Sequence, residues 1–333
     1  MREPHFWSRH VDPKSREAAP LLRFLLTPLA ALYAGVTRHK LKTAKPAKVE
    51  ATIICVGNLT AGGVGKSPVV AALRDHISNQ YNLRVATLSR GYKGRLKGPL
   101  RVDPALHTAT DVGDEPLMLS RVGESWIGAN RASAGAAMAA DGVDVILMDD
   151  GHQNPGLAKD FTFIVVDSHA GFGNGFVIPK GPLRERVVDG LSRANAIVLM
   201  GNDEPPAVLR HSSLPIINGT IQAEDKPPAG KYVAFAGIGR PEKFFDTLTD
   251  IGVEVCDAVP FPDHHSYTGF DLTYLQRLAD DHKARLITTE KDLSRLSADQ
   301  ASSIISLPIV VQFAPQDALD KLLADVIKHA GNG

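Results

Sequence analysis

The sequence predicts an α/β protein: a mostly parallel sheet covered by helices on both faces, followed by a smaller α/β unit. Three observations carry that expectation. Apolar, β-branched runs alternate with helix-like stretches from Thr52 to about residue 200, the pattern of a parallel sheet with crossover helices. Within that alternation, Ile53 to Val70 reads IICVGNLTAGGVGKSPVV, an apolar strand passing through a glycine-rich turn into a helix. A polar, proline-rich break from Gln222 to Gly230 then interrupts the pattern before strand and helix restart. The expected divisions are an N-terminal amphipathic segment over 1–48, a core over 49–222 and a smaller C-terminal α/β domain over 223–333.

The chain has 333 residues, enough for a sizeable core and two domains. Lys plus Arg and Asp plus Glu both number 37, so no global charge argues for nucleic acid. Cys55 and Cys256 both sit in apolar runs and read as reduced thiols rather than a disulfide or metal pair. The first ten residues, MREPHFWSRH, lack the apolar segment of a secretory signal.

Leu21 to Val36 comes first. Leu21, Leu25, Leu29, Leu32 and Val36 share one face at helical spacing, with Pro28 expected to bend the helix. The run is shorter than the roughly 20 apolar residues a bilayer span needs. Arg38, His39, Lys40, Lys42, Lys45 and Lys48 follow. That combination fits a helix lying in a membrane interface, or an amphipathic helix docked on its own domain or a partner.

The turn from Gly57 to Ser67 has the residues of a phosphate-binding P-loop. Gly62, Gly63 and Gly65 let backbone N–H groups turn inward around phosphate oxygens. The helix N-terminus adds its positive end. Lys66 supplies a charge for the β- and γ-phosphates, and the Ser67 hydroxyl can ligate Mg²⁺. The nucleotide contacts are therefore expected from Thr60, Ala61, Gly62, Gly63, Val64, Gly65, Lys66 and Ser67. Thr60 stands where the general motif has glycine.

Further on, Arg84 to Ser89 is a strand whose following loop presents Arg90 and Tyr92 at its C-terminal edge, where ligands bind in open α/β sheets. Asp114 and Glu115 precede a short helix and, on their own, read as residues of its N-terminal turn. Asn130 to Ala140 is a small-residue helix. Val143 to Met148 is a buried strand ending in Asp149 and Asp150. This is the Walker B arrangement, in which an aspartate holds Mg²⁺ or its water. A strand follows from Phe161 to Val166. Gly171 to Arg186 is rich in glycine and proline, a long loop offering Arg184 and Arg186 to anionic groups. In the C-terminal part, strands are expected over Tyr232 to Gly237, Val253 to Val259 and Leu286 to Thr289. Helices are expected over Arg240 to Asp250 and Gln316 to Lys328. His264 and His265 lie in a loop without the partners a zinc site needs.

These pieces, in this order, resemble the tetraacyldisaccharide 4'-kinase family, the lipid A 4'-kinases. The stretches that carry the resemblance are GNLTAGGVGKS, LSRGYKG, VGDEP, MDDGHQ, GFGNGFVIPKGPLRE, FAGIGRPEKFF, FPDHHSY and TTEKD. Thr60 fits this family, whereas His152, Asn154, Lys180 and Arg186 depart from its usual pattern. The resemblance implies a P-loop NTPase-like α/β/α core and a smaller α/β C-terminal domain, joined by a two-stranded linker. It implies ATP-dependent phosphorylation, with Mg²⁺, of the 4'-hydroxyl of a tetraacylated disaccharide 1-phosphate. It also implies a peripheral position on the cytoplasmic face of the bacterial inner membrane, with the lipid surface as partner and no protein partner indicated. It assigns the catalytic roles to Lys66, to Asp114 as base and to His264 as the residue orienting it, with His265 as the alternative. Ser67, Asp149 and Asp150 match metal positions, which Glu115 and Gln153 could complete. Arg90, Tyr92 and Arg184 match positions facing substrate or phosphate. Two other readings compete: a P-loop kinase of a soluble sugar or cofactor precursor, and a non-kinase P-loop ATPase switch. The switch type carries a lysine before the paired glycines, where this chain has Ala61.

Overall fold

A computed structural model of the chain describes residues 4–12 and 14–328. Helices α1 (Pro20–Leu25) and α2 (Thr27–Thr43) precede the first strand. Then come β1 (Thr52–Gly57), α3 (Lys66–Tyr81), β2 (Val85–Ser89), β3 (Leu100–Arg101), α4 (Ala109–Val112), α5 (Asp114–Val122) and β4 (Ser125–Ile127). The large unit continues with α6 (Arg131–Ala140), β5 (Val145–Asp149), β6 (Phe161–Asp167), α7 (Val187–Leu191), β7 (Ala196–Met200) and β8 (Ile216–Ala223). A second unit holds β9 (Lys231–Ala236), α8 (Pro241–Asp250), β10 (Glu254–Pro260), α9 (Gly269–His282) and β11 (Arg285–Thr289). It continues through α10 (Glu290–Leu293), α11 (Ala298–Ala301) and β12 (Ile304–Leu307). The chain then runs through β13 (Ile309–Ala314) and α12 (Gln316–Ile327).

The large sheet has nine strands in the order β13-β8-β7-β6-β1-β5-β2-β4-β3. It is parallel except at its edges, where β3 runs against β4 and β13 against β8. β1 is buried along its whole length between β5 and β6. This is why its sequence is continuously apolar rather than alternating. α3 and α12 cover one face, where Leu73, Ile77, Leu319 and Leu323 join the core formed by Ile54, Val56, Leu147 and Phe163. α6 covers the other, where Ala134 and Met138 meet Ile53, Cys55 and Met148. The small residues of α6 allow that close approach. Cys55 is fully buried, and burial pushes its thiol up to about 12. The second sheet has four parallel strands in the order β10-β9-β11-β12.

The sequence expectations meet two differences here. Leu21 to Val36 is not one bent helix but two, turned by 66° at a break before Thr27. Pro28 cannot donate to the preceding turn and so starts a new helix. No single helix among the described residues is long and apolar enough to cross a membrane. Leu21, Leu25, Leu29, Leu32 and Val36 all face outward, while Ala30 is buried. Second, the chain does not stay in the small unit after residue 223. β13 returns to pair with β8, and α12 packs on the large sheet. β8 and β13 therefore form an antiparallel ribbon through which the chain leaves the large unit and re-enters it.

Candidate active site

The phosphate loop follows β1 at the C-terminal edge of the sheet. Gly62 and Gly65 take φ of 95° and 87°, values L-residues with a Cβ avoid, and Gly65 is the residue from which α3 starts. Thr60 needs no such conformation. It is buried and forms an isolated antiparallel bridge with Leu183. The Ala61 N–H donates to Pro182 O at 2.7 Å, and the Arg184 N–H to Leu59 O at 2.7 Å. The long glycine–proline loop thus braces the phosphate loop. Asn58 donates to Thr60 O at 2.8 Å and accepts from Lys66 Nζ at 3.2 Å.

At the end of β5, Asp149 and Asp150 diverge. Asp150 takes φ of 52° and turns toward cations. Arg184 Nη1 donates to both its oxygens at 2.7 and 2.9 Å, and Lys66 Nζ lies 3.7 Å away. Burial raises its carboxyl, but Lys66 and Arg184 outweigh that and hold it below the usual range. Asp149 is buried at 3% exposure and accepts one bond, from Ser67 Oγ at 3.3 Å to Oδ2. Its Oδ1 is buried with no hydrogen-bond partner. Burial and the charge of Glu115 raise its carboxyl to about 7, against the pull of Lys66.

That orphaned oxygen beside a hydroxyl is the observation that tests for Mg²⁺. A hard cation bound to a nucleotide takes one or two protein oxygens and completes its shell with phosphates and water, so Ser67 and Asp149 fit. Among the described residues no group of three or more His, Cys, Asp and Glu side chains is arranged to hold a metal. The other expected metal residues are engaged elsewhere. Asp150 is paired as above, and Glu115 Oε1 accepts from Lys291 Nζ at 3.0 Å. Gln153 Nε2 donates to Asn58 O at 2.9 Å and to Glu185 at 3.0 Å.

The second constellation joins the two units. Asp114 Oδ2 lies 2.8 Å from His264 Nδ1. His265 turns the other way, 3.0 Å from Asp271 and stacked on Phe261, so His264 is the histidine that meets Asp114. Its φ of 57° makes the two neighbouring rings diverge. Tyr92 reaches the same place, edge-on to His264 with centroids 5.8 Å apart. Arg90, in the same loop, is exposed. Burial pushes the Asp114 carboxyl up, but the hydrogen bond from His264 and the charges of Lys291 and Arg295 hold it well below the usual carboxylate range. Asp114 is not the N-cap of α5, which is Gly113; it lies in the first helical turn, where its Oδ1 accepts the Glu115 N–H at 3.0 Å.

Two residues of this region, Arg295 and Arg131, carry no sequence signal that singles them out, and others named from the sequence take structural places. Arg295 donates from Nε and Nη2 to Asp114 Oδ2. Arg131, at the start of α6, is buried and feels the charges of the Walker B carboxylates. Burial lowers its guanidinium to about 10, against the pull of Asp149 and Asp150. Asp167, at the end of β6, is clasped from the small unit by Arg240 and by Lys243 at 2.5 Å. Beside them, Gly239 comes so near the phosphate loop that a Cβ there would lie 3.1 Å from Gly63 N. His152 fills the space over Gly57, where a Cβ would collide with it. Burial, with Arg193 and Lys159 nearby, lowers its imidazole to about 3, so it is neutral. Lys180 reaches Thr27 at the break between α1 and α2 and lies over the Phe176 ring. Arg186 pairs with Asp189 at the surface.

A phosphate loop, a Walker B aspartate and an Asp–His pair opposite them define a P-loop phosphotransferase. The comparisons narrow this. The family described as Tetraacyldisaccharide-1-P 4'-kinase matches residues 22–328. A tetraacyldisaccharide 4'-kinase of Hyphomonas neptunium is 55% identical over 331 residues, covering 99% of each chain. One of Maricaulis maris is 46% identical, covering 98% of this chain and 97% of its own. The crystal structure of "apo" form LpxK from Aquifex aeolicus in complex with ATP superposes with a TM-score of 0.73. It is 25% identical, and the match covers 92% of this chain and 99% of that one. The chain belongs to the tetraacyldisaccharide-1-P 4'-kinase family.

Proposed function

We propose that this chain is an ATP-dependent kinase of lipid A biosynthesis that phosphorylates the 4'-hydroxyl of a tetraacyldisaccharide 1-phosphate. The observation that carries the reading is the family match along residues 22–328. The site supplies the chemistry. Thr60 to Gly65 turn their backbone toward the phosphates, and Lys66 places its charge where negative charge grows during transfer. Ser67 and Asp149 would hold Mg²⁺, which neutralises phosphate charge when bound. The Asp114–His264 pair handles the proton of the acceptor hydroxyl. Arg90, Tyr92 and Arg184 face the phosphate and sugar groups of the substrate.

The lipid substrate must be drawn from a bilayer, and the N-terminal helices support a peripheral position on the cytoplasmic face of the inner membrane. Leu25, Leu29 and Leu32 are each more than half exposed on one face. Arg38, Lys40, Lys42, Lys45 and Lys48 follow, suited to anionic headgroups. The chemical test is incubation with γ-labelled ATP and a tetraacyldisaccharide 1-phosphate in mixed micelles, with label expected in the lipid. Label passing only to water or to a soluble sugar would overturn the reading. The membrane test is vesicle flotation of a Leu25→Ser, Leu29→Ser, Leu32→Ser variant. A buried leucine is worth roughly 1.5–3 kcal/mol, so the triple variant should stay at the bottom of the gradient. Unchanged flotation would remove the helices from the interface.

A further inference from the structure

Asp114 is held by more than its histidine. Oδ2 receives His264 Nδ1 at 2.8 Å, Arg295 Nε at 2.9 Å and Arg295 Nη2 at 2.7 Å. Oδ1 accepts the N–H of Glu115 at 3.0 Å. The remaining guanidinium nitrogen, Arg295 Nη1, donates to Gly237 O at 2.7 Å and to Asp292 Oδ1 at 2.6 Å. Gly237 O also accepts the N–H of His264 at 3.0 Å. Both side chains that grip Oδ2 therefore hang from one carbonyl just past the end of β9. The anchor behind them is rigid. Asp292 is fully buried and receives the Gly237 N–H, the Thr289 hydroxyl and the Tyr267 hydroxyl. A Cβ on Gly237 would come within 3.1 Å of Asp292, Pro262 and Tyr267, so the packing there is tight.

With only His264 on Oδ2 and the adjacent Glu115 N–H on Oδ1, the carboxylate keeps more freedom about its terminal torsion, which is broad and two-fold. A planar guanidinium delivering two N–H groups to one oxygen removes that freedom. Lys291 does not duplicate the effect, because it is paired with Glu115. We propose that Arg295 is a positioning residue for phosphoryl transfer: it fixes the Asp114 carboxylate so that Oδ2 is held by the small unit and Oδ1, which accepts the Glu115 N–H, keeps its second lone pair for the acceptor hydroxyl. The inference rests on the proposed role of the Asp114–His264 pair. In the step it serves, the hydroxyl oxygen bonds to the γ-phosphorus. The bond from that phosphorus to the bridging oxygen of ADP breaks and its electron pair leaves with ADP. The hydroxyl proton passes to Asp114 Oδ1 and from there to water.

The alternative is that Arg295 only docks the small unit on α5. A kinetic cycle separates the two. Wild type, Arg295→Met, Asp114→Asn and the double variant are assayed for label transfer to the lipid, with the ATP dissociation constant measured for each. Positioning predicts that Arg295→Met lowers kcat by about 10²-fold with ATP affinity unchanged. It predicts that Arg295→Lys, keeping one donor, recovers part of the loss. The double variant should fall within about threefold of Asp114→Asn alone, since residues acting as one unit are non-additive. Unchanged kcat, a matching loss of ATP affinity, or losses that multiply would overturn the proposal. If Arg295→Met does not give a cooperative melt, Arg295→Lys takes its place in the cycle, with a smaller loss of kcat expected and the same requirement that ATP affinity hold and the double variant fall within about threefold of Asp114→Asn alone. A wild-type protein that transfers no label would sink the parent reading; an active wild type with multiplying losses sinks this inference alone.

Discussion

Asp114 and Asp149 are both buried acids of the candidate site, and the fold treats them in opposite ways. Asp114 meets four N–H donors and stays ionised well below the usual carboxylate range. Asp149 meets one hydroxyl, keeps a buried oxygen with no partner, and is raised to about 7. A carboxylate with donors on both oxygens is stable before a ligand arrives, even with a lone pair of Oδ1 still open, whereas an orphaned one costs stability until a cation arrives. The difference teaches which half of the site the chain builds by itself. The acceptor half is finished by contacts between units. The phosphate half is left open for a metal–nucleotide complex.

The largest effect should come from the open half. Lys66→Ala removes the cation whose role grows in the transition state, so kcat should fall by roughly 10³-fold. Near wild-type turnover at saturating ATP would show that the loop does not serve phosphate. Next comes the saturated half. Asp114→Asn preserves size and some hydrogen bonding but not charge, and should lower kcat by roughly 10²-fold with ATP affinity intact. His264→Ala should do likewise, while His265→Ala, whose ring faces Asp271, should have the smaller effect. Steady-state kinetics of these single variants would break the comparison if the order of the two histidines reversed.

The two halves also differ in how far the sequence exposes them. The phosphate loop is one contiguous stretch, Gly57 to Ser67, and its geometry is local: strand, positive-φ glycines, helix start. Such a unit can be read directly. The Asp114–His264 contact spans 150 positions and the Asp114–Arg295 contact spans 181. No local pattern encodes either, and the residues around Asp114 alone suggest a helix terminus. Only the resemblance across the motifs points to the first. The ion pairs that engage Asp150 and Glu115 are hidden for a related reason. Carboxylates can be counted along a chain, but the cations that neutralise them cannot be assigned. Arg184 lies 34 positions from Asp150, and Lys291 lies 176 from Glu115. The edge pairing of β13 is likewise invisible, because its apolar run suits either sheet.

A smaller effect is expected where the units touch without chemistry. Asp167 holds Arg240 and Lys243 at the edge of the large sheet. Asp167→Asn removes that charge and should loosen the docking that brings His264 and Arg295 onto Asp114. Coupling through such contacts is worth about 0.5–2 kcal/mol, so kcat should fall by roughly 2- to 30-fold. The loss should shrink when low ionic strength strengthens the remaining contacts. A loss as large as that of Asp114→Asn would mean that Asp167 itself serves the nucleotide.

The smallest effect, on stability alone, separates the two aspartates most directly. With its carboxyl raised from 3.8 to about 7, Asp149 holds a proton in the folded chain that the unfolded chain releases. The folded state therefore binds more protons than the unfolded one across that window, and stability falls as pH rises through it. Asp114 has the opposite sign: its lowered carboxyl contributes stability above its ordinary range, lost only as pH falls below it. Asp149→Asn cannot ionise and imitates the protonated acid. In EDTA it should melt above wild type at pH 8, by about 2–4 °C for each kcal/mol involved, with the gap narrowing toward pH 5. With Mg²⁺ and ATP the order should invert, because only the carboxylate gains a cation and ligand binding stabilises the state that binds it. Asp114→Asn, by contrast, should melt below wild type at pH 8 in either buffer, since four donors lose their charged partner. Identical melting shifts for the two variants in EDTA would show that Asp149 is as well satisfied as Asp114, and the contrast between the halves of the site would fail.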